Sequence, residues 1–202
     1  MGGIFLGFLC SVILVFALGR LRSSQPPSGV LGLACWTLIA LTGLDGLNAF
    51  LFDGSLPHLY PPSTALRLLT GLGAGLGVGL MAVPVVAGVI WARPIEEASV
   101  EDPLELVGGL ALAALVGALI LAGVGILLWP VAVAMLAGVV VAFGLANLYV
   151  LVLATHRAGQ ALSLADVRGV ILSSLGLVML ELGALAGLRS WLITAFGFTW
   201  GI

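Results

Sequence analysis

Residues 71–79 read GLGAGLGVG, and the fold turns on whether this run is a loop around a phosphate or a helix buried between other helices. A phosphate-binding glycine loop follows a strand and opens a helix. Here the run sits inside an apolar stretch from Thr64 to Trp91 with no strand pattern before it, so helix packing is the reading its context supports. At about 3.6 residues per turn, Gly71, Gly75 and Gly79 share one face, while Gly73 and Gly77 lie nearly opposite. Lipid-embedded helices associate by close backbone approach at small-xxx-small faces rather than by hydrophobicity. This helix is therefore expected between two neighbours, at the centre of a bundle.

The rest of the chain agrees that the solvent is a bilayer. Of its 202 residues 61% are hydrophobic and 8% charged, whereas soluble domains carry about 25% charged residues. A crossing helix needs about 20 apolar residues, and charged or Pro/Gly clusters cut the sequence into six such pieces. The expected architecture is all-α, a six-helix transmembrane bundle in a single membrane domain over residues 1–202. The spans are expected at 2–18, 30–52, 64–91, 104–129, 131–154 and 169–188. Residues 106–155 contain no charge and are too long for one crossing, so Trp129-Pro130 is read as a tight hairpin, the proline stopping one helix before the next. Met1 to Gly19 is apolar with a small-x-small ending, but it has no positive n-region and is followed by Arg20 and Arg22. It is read as a retained first span rather than a signal peptide.

Orientation follows from arginine, since the chain has no lysine. Arg20, Arg22, Arg93, Arg157 and Arg168 fall on one side and Arg67 and Arg189 on the other, so the first side is expected in the cytoplasm of a plasma-membrane protein with both termini outside. The tail from Ser190 to Ile202 is too short to cross; it is expected to lie in the outer interface or to extend the sixth helix. No basic run exists to neutralise a nucleic-acid backbone. Cys10 and Cys35 lie in apolar stretches without metal or redox spacing, and His58 stands alone in a loop. No metal and no cofactor is expected.

Glycine is 29 of 202 residues, about twice the ordinary usage of roughly 7%, which makes close helix contact a general device here. The fifth span carries Ala134, Gly138, Ala142 and Ala146 at the same spacing, and the sixth Gly183 and Gly187. Polar residues inside spans are costly and face bundle interiors. Asp45, Asn48, Arg67 and Glu181 all count to within about 12 Å of the same membrane face and form the candidate polar cluster; Asn147 is read as an interhelical hydrogen-bonding residue. Arg67 stands in a first helical turn, where the helix dipole repels a cation. It is therefore expected to bond Asp45, with Glu181 as a second or alternative acceptor.

Three pieces of the first half resemble a known family. GIFLGF at Gly3 to Phe8 looks like that family's GIYLGF, and Leu44-Asp45-Gly46 and STALRLLTG at Ser63 to Gly71 follow in the family's order. The sequence thus resembles the small prokaryotic membrane proteins of the domain of unknown function 2085 family over roughly its first three spans. That family typically carries a Cys/His segment ending in a Cys-x-Arg-Cys-like element before the GIYLGF-like span. No such segment precedes Gly3 here, so the resemblance brings no metal or thiol chemistry, and a start shortened relative to the family is one reading. What it implies is a fold fragment and candidate positions, with no activity.

Three functions are compatible with these residues. The first is a structural or accessory protein, such as a small subunit of a larger membrane assembly or a homo-oligomer, whose buried charges hold the bundle in register. The second is a small transporter or proton- or ion-conducting protein using Asp45, Arg67 and Glu181; it needs a polar route to both sides, and the inner halves of the helices offer only Asn147 and a few hydroxyls such as Ser173 and Ser174. The third is an enzyme acting on a lipid-linked substrate, against which stands the lack of a nucleophile–base pair or carboxylate array. The partners expected are the bilayer and protein subunits, and no nucleic acid.

Overall fold

The computed structural model describes residues 2–196. Six α-helices follow in order: α1 Gly2–Ala17, α2 Gly29–Asp53, α3 Thr64–Ile90, α4 Pro103–Leu121, α5 Leu128–Ala154 and α6 Leu164–Phe196. Five are long and apolar enough to cross a membrane. The sixth, α1, has 16 residues and so a length of about 24 Å, short of a hydrocarbon core of roughly 30 Å. Residues 190–196 continue α6, and 197–202 lie outside the described residues.

The centre of the bundle is α3. In its apolar window 67% of the residues are buried, against 22% or fewer in the corresponding windows of α2, α4, α5 and α6. Its glycines make this possible. A Cβ on Gly75 or Gly79 would overlap the Ile4 carbonyl or the Ser11 hydroxyl of α1, and one on Gly71 would lie 3.3 Å from the Ile4 amide. On the other face, a Cβ on Gly77 would lie 2.8 Å from the Cys35 carbonyl of α2, and one on Gly73 3.2 Å from Leu38. Between the glycines, Leu72, Leu76 and Leu80 are fully buried and pack with Leu6 and Val15 of α1 and with Leu106 and Ala113 of α4. On α5, Gly138 meets the Phe5 carbonyl of α1 in the same manner.

Pro84 sits inside α3, where its missing N–H leaves the carbonyl four residues earlier without a helical partner. That carbonyl belongs to Leu80, and the buried Ser99 hydroxyl, from the segment before α4, donates to it at 2.8 Å. A polar side chain from another element thus repairs the helix at the point where the sequence breaks it.

The α4–α5 turn is not at Trp129-Pro130. Helix α4 ends at Leu121, Gly123 takes φ +64, a 3-10 turn covers Gly125–Leu127, and α5 begins at Leu128. Trp129 and Pro130 therefore occupy the first turn of α5, where the proline costs no helical hydrogen bond because the first N–H groups have no partner anyway. The glycines, not the proline, end the preceding helix.

A second departure from the expected simple loops lies at the end of the bundle that carries Arg20. Strands β1 (Ser23–Gln25) and β2 (Ile95–Ala98) pair in parallel, and Trp91 bridges to Ala161. Arg20 donates to Glu105 at 2.7 Å; Arg22 donates to the Leu162 carbonyl at 2.7 Å and lies 4.2 Å from the centre of the Trp91 ring. The capping box at the start of α4, Asp102 to Glu105, holds Glu105 in place for Arg20. Three interhelical segments are thereby joined into one polar cap.

Candidate functional site

At the opposite end, the segment between α2 and α3 folds back over α2. Ser63, following Pro61-Pro62, caps α3 by accepting from the Leu66 amide at 3.1 Å. Asn48 anchors the segment from below: its Oδ1 accepts from the Leu59 amide at 2.8 Å, and its Nδ2 donates to the Tyr60 carbonyl at 2.9 Å. The Tyr60 hydroxyl then donates to Asp45 Oδ1 at 2.7 Å. Asp45 and Asn48 are one turn apart on α2 and are 4% and 3% exposed. That hydrogen bond, before burial and charge, raises the Tyr60 pKa above the usual tyrosine value, because the neutral hydroxyl is the form that can donate.

Beside this anchor lies a cavity of about 400 Å³, lined by Thr42, Asp45 and Asp53 of α2, Arg67 and Thr70 of α3 and the first residues of α1. The Thr42 hydroxyl donates to the Thr70 carbonyl at 2.6 Å and clamps the two helices at its floor. Deeper, the contact of Gly75 on Ile4 leaves no room for a side chain.

The four residues expected as one cluster fall into two places. Asp45, Asn48 and Arg67 are at this site, but Arg67 does not bond Asp45. No ion pair within 4.0 Å involves Arg67 among the described residues. Tyr60, delivered by the Asn48-anchored segment, takes the carboxylate oxygen that Arg67 was expected to meet, and the exposed guanidinium remains at the helix end. Glu181 is elsewhere: it accepts from Asn147 Nδ2 of α5 at 3.0 Å, because α6 packs chiefly on α5. His58 is exposed, its Nδ1 3.1 Å from the Leu56 carbonyl and its ring edge-on to Phe52. Among the described residues no three His, Cys, Asp or Glu side chains are placed to hold a metal.

The glycines also divide. Gly71, Gly73, Gly75, Gly77, Gly79 and Gly138 meet other helices, whereas Gly183 and Gly187 of α6 meet nothing within 4 Å of an added Cβ. The expectation that the latter pair packs within the bundle is corrected: among the described residues α6 turns its Val167, Val170, Ser174 and Val178 side inward, and Gly183 and Gly187 lie on the opposite side.

Sequence reasoning missed Tyr60, the partner of Asp45, since a loop aromatic fifteen residues away carries no periodic signal. The Asp102-x-x-Glu105 capping signature was readable, and with it the acceptor of Arg20.

No curated protein and no solved structure matches this chain. A family model does: the one described as Predicted membrane protein (DUF2085) matches residues 1–81, in agreement with the resemblance carried by GIFLGF, Leu44-Asp45-Gly46 and STALRLLTG. The match takes in α1, α2 and the glycine-faced part of α3, so the chain is an integral membrane protein whose residues 1–81 are similar to that family of predicted membrane proteins of unknown function.

Proposed function

We propose that the chain is a structural or accessory subunit of a membrane assembly and that α6 is the helix that joins it to its partner. The observation that carries this reading is a stripe on α6. Gly169, Gly176, Gly183 and Gly187 fall within about 40° of one another at 3.6 residues per turn, and among the described residues an added Cβ on any of them would meet nothing within 4 Å. Their side of α6 is opposite the Val167, Val170, Ser174 and Val178 side that packs inward. A helix facing only lipid has no use for such a groove, while a second helix can approach its backbone closely there.

The polar residues inside the helices support a holding role. Asp45 and Asn48 fix the α2–α3 segment, Asn147 and Glu181 bind each other, and the Ser174 hydroxyl donates to the Gly144 carbonyl. A carrier would need these groups arranged along a route, and the close contact of α1 with α3 below the cavity argues against one. The arginine-rich polar cap is assigned to the cytoplasmic face of a plasma membrane by the charge rule, with both termini outside.

Photo-crosslinking in native membranes tests the subunit reading. A photoreactive residue at Leu172 or Leu180, exposed at 67% each on the stripe side of α6, should give one discrete protein adduct that Gly183→Leu abolishes. The same probe at Leu115 of α4 should not. Lipid adducts alone from every site would refute the proposal.

A further inference from the structure

We propose that the cavity between α1, α2 and α3 binds a small zwitterion, with a primary ammonium group on Asp45 and an oxyanion, phosphate or carboxylate, on Arg67. This does not depend on the subunit reading. The argument starts with the buried carboxylate. Asp45 is 4% exposed, its Oδ1 is engaged by Tyr60, and among the described residues its Oδ2 accepts no hydrogen bond although Asp45 lines the cavity. A carboxylate held in a membrane protein by a single neutral donor is unfavourable until a cation joins it. The protein's nearest candidate does not do so, since no ion pair within 4.0 Å forms between Asp45 and Arg67.

Charge on the walls then selects the ligand. Two carboxylates, Asp45 and Asp53, and one guanidinium, Arg67, line the same space. Two carboxylates against one guanidinium favour a cation, but a lone cation leaves Arg67 without a counter-ion, and a lone anion meets two carboxylates. A molecule carrying both charges satisfies the buried acid and the guanidinium together, and the planar fork of Arg suits an oxyanion. The volume of about 400 Å³ falls within the range of roughly 300–1,000 Å³ usual for small-molecule sites.

Depth fixes the polarity of binding. Asp45 lies eight residues before the end of α2, at Asp53, and so about 12 Å in, whereas Arg67 is in the first turn of α3. The ammonium therefore enters first. An aminophospholipid has the reverse order, its phosphate nearer the hydrocarbon than its amine, so a free zwitterion fits better than a lipid headgroup.

The test uses the full chain in nanodiscs of phosphatidylcholine, with calorimetric titration of phosphoethanolamine and β-alanine as zwitterions and of ethanolamine and inorganic phosphate as single-charge controls. At least one zwitterion should bind tenfold or more tighter than either control. Arg67→Gln, at an exposed position, should keep its fold and reduce that zwitterion's affinity to that of ethanolamine. Asp45→Asn should abolish binding, and if it fails to fold the Arg67→Gln result still decides. Nanodiscs rich in phosphatidylethanolamine should leave the affinity unchanged; competition there would overturn the free-ligand assignment in favour of the headgroup. Absence of binding by both zwitterions, controls that bind as well, or an unchanged Arg67→Gln would overturn the site itself.

Discussion

Two glycine-rich helices in this molecule, α3 and α6, meet opposite fates. The glycines of α3 are closed in by α1 on one face and α2 on the other, to the point that a single added methyl would overlap backbone. Those of α6 form an equally regular stripe that nothing among the described residues touches. Spacing is therefore a statement about how closely a helix can be approached, and the partner is decided by connectivity. Helix α3 has neighbours both before and after it in sequence that return to it across short segments, whereas α6 packs chiefly on α5.

The largest effect expected from this contrast is at Gly75. Gly75→Leu would drive a side chain into the Ile4 carbonyl, and because both partners are backbone the cost should exceed the ~1–3 kcal/mol typical of overpacking. Thermal unfolding in detergent, followed by tryptophan fluorescence, should show loss of the folded state; a variant that melts with the parent would break the packing account of α3. Gly183→Leu, at the same residue type in α6, should change stability by no more than about 0.5 kcal/mol, as for an open surface position.

A smaller effect is expected where Tyr60 secures the α2–α3 segment. Tyr60→Phe removes the hydroxyl that donates to Asp45 and should speed amide exchange at Leu59 without altering helix content. The link also carries a pH dependence of known sign. Since the Tyr60 pKa is raised in the folded chain, its contribution is fully present below the ordinary tyrosine value of about 10 and is lost as pH rises through the raised value. The ultraviolet absorbance difference between the parent and Tyr60→Phe should show that the Tyr60 tyrosinate forms only above the ordinary tyrosine range. A further modest effect is at Arg20→Gln, which removes the bond to Glu105. About 1 kcal/mol or less is expected, shrinking with added salt, by denaturation at two ionic strengths.

Much of the fold is legible in the sequence. Composition and the absence of strand patterns gave an all-α membrane bundle, and the two-faced spacing of Gly71 to Gly79 pointed to an enclosed α3, because helical periodicity is local. What escaped depends on contacts distant in sequence. Pro130 reads as a helix stop, although proline is equally at home in a first turn, and Gly123 is the better signal. The pairing of β1 with β2 joins residues about seventy positions apart, in strands too short to show alternation. At the candidate site, counting residues from helix ends put Asp45, Arg67 and Glu181 at one depth but could not say which helices are adjacent, so Glu181 was assigned to the wrong neighbours. Nor could it show that a loop tyrosine would reach Asp45 ahead of an arginine.

The claim that most needs testing is that the α6 stripe serves another helix. Native mass spectrometry of the chain extracted from its own membranes in lipid nanodiscs measures this directly. The account predicts a complex of defined stoichiometry, heavier than the 20.5 kDa chain, for the parent and for Leu115→Ala, and a single folded chain for Gly176→Leu with Gly183→Leu. A parent that is already a single chain, or a complex that survives both leucines intact, would contradict it.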